Sequence, residues 1–252
     1  MEGKPKQNRT LILCSRGASH QQRDLVSDLV RLLPHSKKEA KIDRKSHFSA
    51  LQDLAEMHSC NNILYLEGRK RICFLWLAHY PNGPSVKFLV QNIHTSGELR
   101  LTGNCLKASR PILSFDKSFE SAPYLQVIQQ MFMQTFATPE KHPKAMPFVD
   151  HVFAFSHVFS RIYFRNFEIT QGGDDVALSE IGPRFVLTPI KVLSGLVSGD
   201  TLYKNGNYVH PRQEALDKPA RNRFDKKLKK KRKIEFVGNP EEPSLSDVYG
   251  YS

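Results

Sequence analysis

Four cysteines in 252 residues, at positions 14, 60, 73 and 105, share none of the paired spacings of a zinc site. They are expected to be reduced, mostly buried thiols of a cytosolic or nuclear protein. Long apolar runs are also missing. The richest, around 72–78 and 185–190, are strand-sized, whereas a bilayer-spanning helix needs roughly 20 apolar residues. The opening Met-Glu-Gly-Lys-Pro-Lys-Gln-Asn-Arg lacks the apolar segment of a secretory signal. Several catalytic signatures are absent: a Gly-x-x-x-x-Gly-Lys-Ser/Thr loop, a Gly-x-Gly-x-x-Gly turn, a Gly-x-Ser-x-Gly elbow and a His-Glu-x-x-His pair. Asp150-His151 and Asp174-Asp175 offer carboxylates, but no spacing joins them to a third group. The reading is therefore of a protein that is not an enzyme and needs no cofactor or metal.

Acidic charge is the scarce kind. Against 37 Lys and Arg stand 25 Asp and Glu, a formal charge of +12, which favours a polyanionic partner. The excess is concentrated. Residues 221–233 hold nine basic side chains and one acid, +8 of the +12. The run Lys226, Lys227, Lys229, Lys230, Lys231, Arg232 and Lys233 cannot bury apolar surface, so it reads as a nuclear-import or solubilising tract, as an extension that binds RNA, or as both.

A hydrophobic content of 40% is enough for a folded core. Residues 10–14 form a short strand, and 21–33 a helix with Leu25, Leu29, Leu32 and Leu33 on one face, ended by Pro34. A second helix is expected over 46–58, then strands at 62–66, 72–78 and 86–93 with a charged turn at 68–71. The plan then recurs. A strand at 111–115, a helix at 125–136 and strands at 151–156, 161–169 and 184–190 repeat the order strand, helix, three strands. Two small α/β halves are expected, about 9–107 and 108–204, after an N-terminal tail of 1–8. The stretch past Gly195 reads as a surface arm with little regular structure, and 205–252 as a basic, largely irregular extension.

The block Gly83-Pro84-Ser85-Val86-Lys87-Phe88-Leu89-Val90-Gln91-Asn92-Ile93-His94-Thr95 continues through Thr102-Gly103-Asn104-Cys105-Leu106-Lys107 to Ser109-Arg110-Pro111. It resembles the Brix domain family. Further ordered blocks are Leu33-Pro34-His35-Ser36-Lys37, Pro147-Phe148-Val149-Asp150-His151-Val152-Phe153, Arg165-Asn166-Phe167 and Glu180-Ile181-Gly182-Pro183-Arg184-Phe185-Val186-Leu187. The resemblance runs over about 9–204. It implies an α/β fold of two halves similar to each other and to anticodon-binding domains. It further implies a non-catalytic role in the nucleus and nucleolus, in pre-rRNA processing and assembly of the large (60S) ribosomal subunit. The partners it implies are large-subunit precursor rRNA, pre-60S assembly factors and a heterodimer partner of the EBNA-binding protein family. A small-subunit factor of the same superfamily, or a protein scaffold without RNA contact, is the alternative.

Candidate RNA ligands follow from side-chain chemistry. Arg16, Ser19, His20 and Arg23 surround a helix start, where free N–H groups and guanidiniums make a phosphate seat; the competing reading is that Ser19 caps the helix. Lys87, His94, Lys107, Arg110 and, more weakly, Arg184 are basic groups at strand ends and in the following loop. Among Phe153, Phe155, Phe159, Tyr163, Phe164 and Phe167, most are expected in the core, with an outward subset free to stack bases or bind a partner.

Overall fold

The computed structural model describes residues 8–43, 49–69, 72–99, 101, 103–140, 142–172 and 175–211. Residues up to Gly206 form one compact unit; Asn207–Ser252 group separately, and of these only 207–211 are described.

The chain opens with β1 (Thr10–Cys14), every residue buried, then α1 (His20–Leu32). Ser19 caps α1 in a reciprocal box: its hydroxyl accepts the Gln22 N–H, and the Gln22 side chain accepts the Ser19 N–H. Next come β2 (Ser36–Lys38), a short strand not anticipated from sequence, and α2 (Ser49–Met57). The meander β3 (Asn62–Arg69), β4 (Ile72–His79) and β5 (Ser85–His94) completes the first half. Gly68 and Arg69, expected in the turn, belong to β3. There Gly68 lies against Ala18 and Gln22 at the start of α1, and its N–H donates to the Ser15 hydroxyl at 2.9 Å.

A one-turn helix α3 (Ser96–Leu99) leads to β6 (Pro111–Phe115), a short 3-10 turn (Lys117–Glu120) and α4 (Pro123–Phe136), which begins on proline. The strands β7 (His151–Val158), β8 (Arg161–Gly172), β9 (Asp175–Glu180) and β10 (Arg184–Leu193) follow. The stretch past Gly195 is more regular than expected: β11 (Thr201–Lys204) pairs antiparallel with β10.

All the strands join one sheet in the order β2-β1-β3-β4-β5-β10-β8-β7-β6, with β9 on β8 and β11 on β10. The two halves meet head on. β1 runs parallel to β3, and β3-β4-β5 are antiparallel; β6 runs parallel to β7, and β7-β8-β10 are antiparallel. The antiparallel pair β5/β10 is the seam.

Both long helices pack on one face. α1 brings Leu25, Val26 and Leu29; α4 brings Leu125, Ile128, Phe132 and Phe136; together they cover a single core that draws on both halves. The Phe132 ring stacks on Phe88 of β5 at 5.8 Å and on Phe155 of β7 at 4.7 Å, so the seam is bridged by aromatic packing. On the opposite face, α2 lays Leu51, Leu54 and Ala55 over Leu11, Leu13, Ile63, Tyr65, Trp76 and Ala78.

Candidate nucleic-acid interface

The turn between β1 and α1 presents cations, but not as a vacant phosphate seat. The Ser19 hydroxyl accepts the Gln22 N–H at 3.3 Å as the helix cap. Arg16 pairs with Asp43 at 3.0 Å and His20 with Asp24 at 2.6 Å, both at exposed positions. Arg23 is exposed, its Nε 3.4 Å from the Ser19 carbonyl. His20 and Arg23 line a groove together with Lys38, Glu39 and Lys41 from the segment after α1.

Sequence reasoning missed that second wall. β2 is an outer strand of the sheet, and its consecutive Lys37 and Lys38 line different grooves. The Lys37 groove also receives Arg9, which precedes β1, Lys144 from the α4–β7 connection, and the imidazoles of His35, His58 and His142. Along this edge six cations, Arg9, Arg23, Lys37, Lys38, Lys41 and Lys144, meet two carboxylates, Asp24 and Glu39. Part of that acid is already engaged, since Glu39 holds His58. The Ala40 N–H and His58 hold the Glu39 carboxyl below its ordinary range, so it stays ionised. Burial drives the His35 pKa down to about 4, and burial followed by Arg9 and Lys144 lowers that of His142. At neutral pH both rings are therefore uncharged, and the positive field of the groove comes from Arg9, Lys37 and Lys144. The only sequence hint was the Lys37-Lys38 pair; the other members lie far apart in the chain.

The remaining candidates are scattered. Lys87 is drawn into the sheet. Its side chain is 17% exposed and its Nζ lies 4.3 Å from the Phe74 ring centroid, 4.8 Å from that of Trp76 and 3.9 Å from Glu67. Burial lowers its pKa while Glu67 opposes that fall, and the ammonium packs over the two rings of the sheet. His94 and Arg184 are brought to paired positions across the β5/β10 seam, each beside a carboxylate: Glu98 at 3.6 Å and Glu180 at 3.6 Å. Lys107 is exposed, whereas Arg110 is half-buried with its Nε enclosed. Lys226, Lys227, Lys229, Lys230, Lys231, Arg232 and Lys233 lie outside the described residues. Among the described residues no group of three His, Cys, Asp or Glu is placed to hold a metal ion.

A family model described as the Brix domain matches residues 15–191, from the end of β1 to the seam strand β10. The chain belongs to the Brix domain family. Its Brix domain therefore contains β2, with Lys37 and Lys38, and both strands of the seam. Among curated proteins it is similar to the "Ribosome biogenesis protein BRX1 homolog" of Homo sapiens, 50% identical over 204 residues, covering 81% of this chain and 57% of that protein. The homolog of Drosophila melanogaster is 42% identical over 232 residues, covering 90% and 64%. "Ribosome biogenesis protein BRX1" of Saccharomyces cerevisiae is 46% identical over 214 residues, covering 81% and 74%. The chain thus spans less than two thirds of the human and fly relatives. A crystal structure of a probable ribosomal biogenesis protein from Aeropyrum pernix K1 aligns at a TM-score of 0.49 and 17% identity, covering 72% of this chain and 96% of that one.

Proposed function

We propose that this chain is a non-catalytic rRNA- and protein-binding factor of ribosome biogenesis that acts in the nucleolus on precursors of the large (60S) subunit. The observation that carries the reading is its 42–50% identity, over most of its length, to proteins named for ribosome biogenesis. The physical support is the β2 edge. Cations from four separate segments line its two grooves, and their affinity for phosphates would be sequence-independent and salt-sensitive. The 221–233 tract adds +8 of sequence charge to the same partner class. A protein of the EBNA-binding family is the proposed heterodimer partner, with other pre-60S factors around it. In-cell ultraviolet crosslinking of the tagged chain, with sequencing of the attached RNA, tests the reading. Enrichment on large-subunit precursor rRNA is expected. Enrichment on small-subunit precursor would move the chain to the other branch of assembly, and absence of ribosomal RNA would leave a protein scaffold.

A further inference from the structure

The two halves differ in what covers the sheet face opposite α1 and α4. In the first half that face is closed: Leu11, Leu13, Ile63, Tyr65, Trp76 and Ala78 lie beneath α2, each no more than 5% exposed. The repeated topology sets β6, β7 and β8 in the places of β1, β3 and β4. In register, Leu11 beside Ile63 and Ala78 corresponds to Ile112 beside Val152 and Phe167; Leu13 beside Tyr65 and Trp76 corresponds to Ser114 beside Ala154 and Arg165. Among the described residues this second face is open. Ile112 is 48% exposed and Val158 43%, Val152 is partly exposed, and Ala154, Tyr163 and Phe167, also partly exposed, line a shallow groove with Ser156 and Val158.

The reason lies in the connections. Between α1 and β3 the chain makes β2 and α2; between α4 and β7 it has residues 137–150, broken by Pro139, Pro143 and Pro147, which no helix accommodates in its interior. The second half therefore keeps the platform without the helix. The platform is apolar at Ile112, Val152, Phe167, Ala154, Tyr163 and Val158 and polar at Ser114 and Ser156; Arg165, 47% exposed, pairs with Glu180 at 3.3 Å, and the exposed Arg161 stands at the end of the face.

We propose that this face docks an amphipathic helix of a partner protein, seated over β6, β7 and β8 as α2 is seated over β1, β3 and β4. The occupant's chemistry follows from α2 and from the charges. Its inward residues are small or aliphatic at i, i+3 and i+4, as Leu51, Leu54 and Ala55 are, with a hydroxyl or amide over Ser114 and Ser156, and its flank carries a carboxylate toward Arg161. Tyr163 and Phe167 supply the aromatic anchors usual at such contacts. The proposal rests on the protein-binding part of the proposed function and is independent of the RNA part.

The test places a photo-crosslinking phenylalanine analogue at position 112, and separately at 158, in the full chain expressed in cells, with the adducts mapped by mass spectrometry. Both positions are expected to capture one amphipathic helical segment of one other protein. A synthetic peptide of that segment is then expected to bind the purified chain. Ile112→Glu and Ala154→Glu should each weaken it by roughly thirty-fold or more, with the melting temperature and the salt dependence of RNA binding unchanged. Ile112 lies on the outer strand, so its variant serves if Ala154→Glu does not fold. Adducts with a second copy, with another segment of this chain or with RNA, or no adduct at either position, would overturn the proposal. So would a peptide indifferent to both substitutions. A salt-independent RNA interaction with peptide binding intact would remove the RNA reading and leave this one standing.

Discussion

The imidazole Nε2 of His35 donates a hydrogen bond to the Thr135 carbonyl at 2.9 Å, tying the end of the α1–β2 connection to the last turn of α4 across 100 residues of chain. It does not act alone. The Thr10 hydroxyl reaches the same carbonyl at 3.3 Å, and the Asn62 amide donates to the Gln134 carbonyl at 2.9 Å. The last carbonyls of a helix have no partner within it, and here side chains of the first half satisfy two of them in the second. Loss of this clasp would strand buried acceptors.

The clasp makes stability pH-dependent. His35 is 2% exposed and its pKa is lowered to about 4, so the folded state keeps it neutral while the unfolded chain protonates near the ordinary value of about 6.5. Its contribution is fully present above pH 6.5 and is lost as pH falls toward 4, about 3 kcal/mol over that window. Urea unfolding at pH 7.5 and 4.5 should show the loss. His35→Gln, which retains an N–H donor without the titration, should flatten the difference while lowering stability at pH 7.5.

Lys87 and the β2 edge should separate packing from RNA contact. Lys87→Met removes the charge facing Glu67 and the cation over two rings, leaving Glu67 with Arg69 and the Trp76 indole N–H. A destabilisation of about 2 kcal/mol is expected, together with an unchanged salt slope for RNA binding. An equal loss of slope would return Lys87 to the interface.

Lys37→Gln combined with Lys38→Gln should do the reverse. If each ammonium meets one phosphate, the log-log slope of affinity against salt on single-stranded RNA falls by about 1.4, while stability stays within ~0.5 kcal/mol. Neutralising the seven basic residues between 226 and 233 should weaken binding further and again leave the fold intact. Titrations from low to moderate salt read both effects; a slope untouched by either set would argue against direct RNA contact there.

Gly68→Ala tests the close approach of β3 to the start of α1. An added Cβ would lie 2.7 Å from the Ala18 Cα and against the Gln22 side chain. One of them must move, at about 1–3 kcal/mol. Chemical denaturation measures the loss. A neutral substitution would mean that the capping box yields without cost.

The principal helices and strands and the bulk electrostatics were legible in the sequence, whereas the short β2, α3, β9 and β11 were not. Apolar periodicity marked α1 and α4, short β-rich runs marked the principal strands, and simple counting located the charge, because these are local properties of neighbouring residues. Sequence reasoning overestimated how many aromatics enter the core: Phe153, Phe155 and Phe164 are buried, but Phe159 is 92% exposed and Tyr163 and Phe167 lie on the opposite face of β8. Position across the sheet was decided only by tertiary structure. Lys87 looked like a strand-end cation, yet β5 lies in the middle of the sheet and packs it over Phe74 and Trp76. Arg9, Lys37 and Lys144 share a groove because β2 lies beside β1 and the α4–β7 connection passes there, a juxtaposition no local pattern encodes. The open face follows the same logic. Alternation along β7 and β8 sets which residues share a side, but only the assembled halves reveal that, among the described residues, α2 has no counterpart over them.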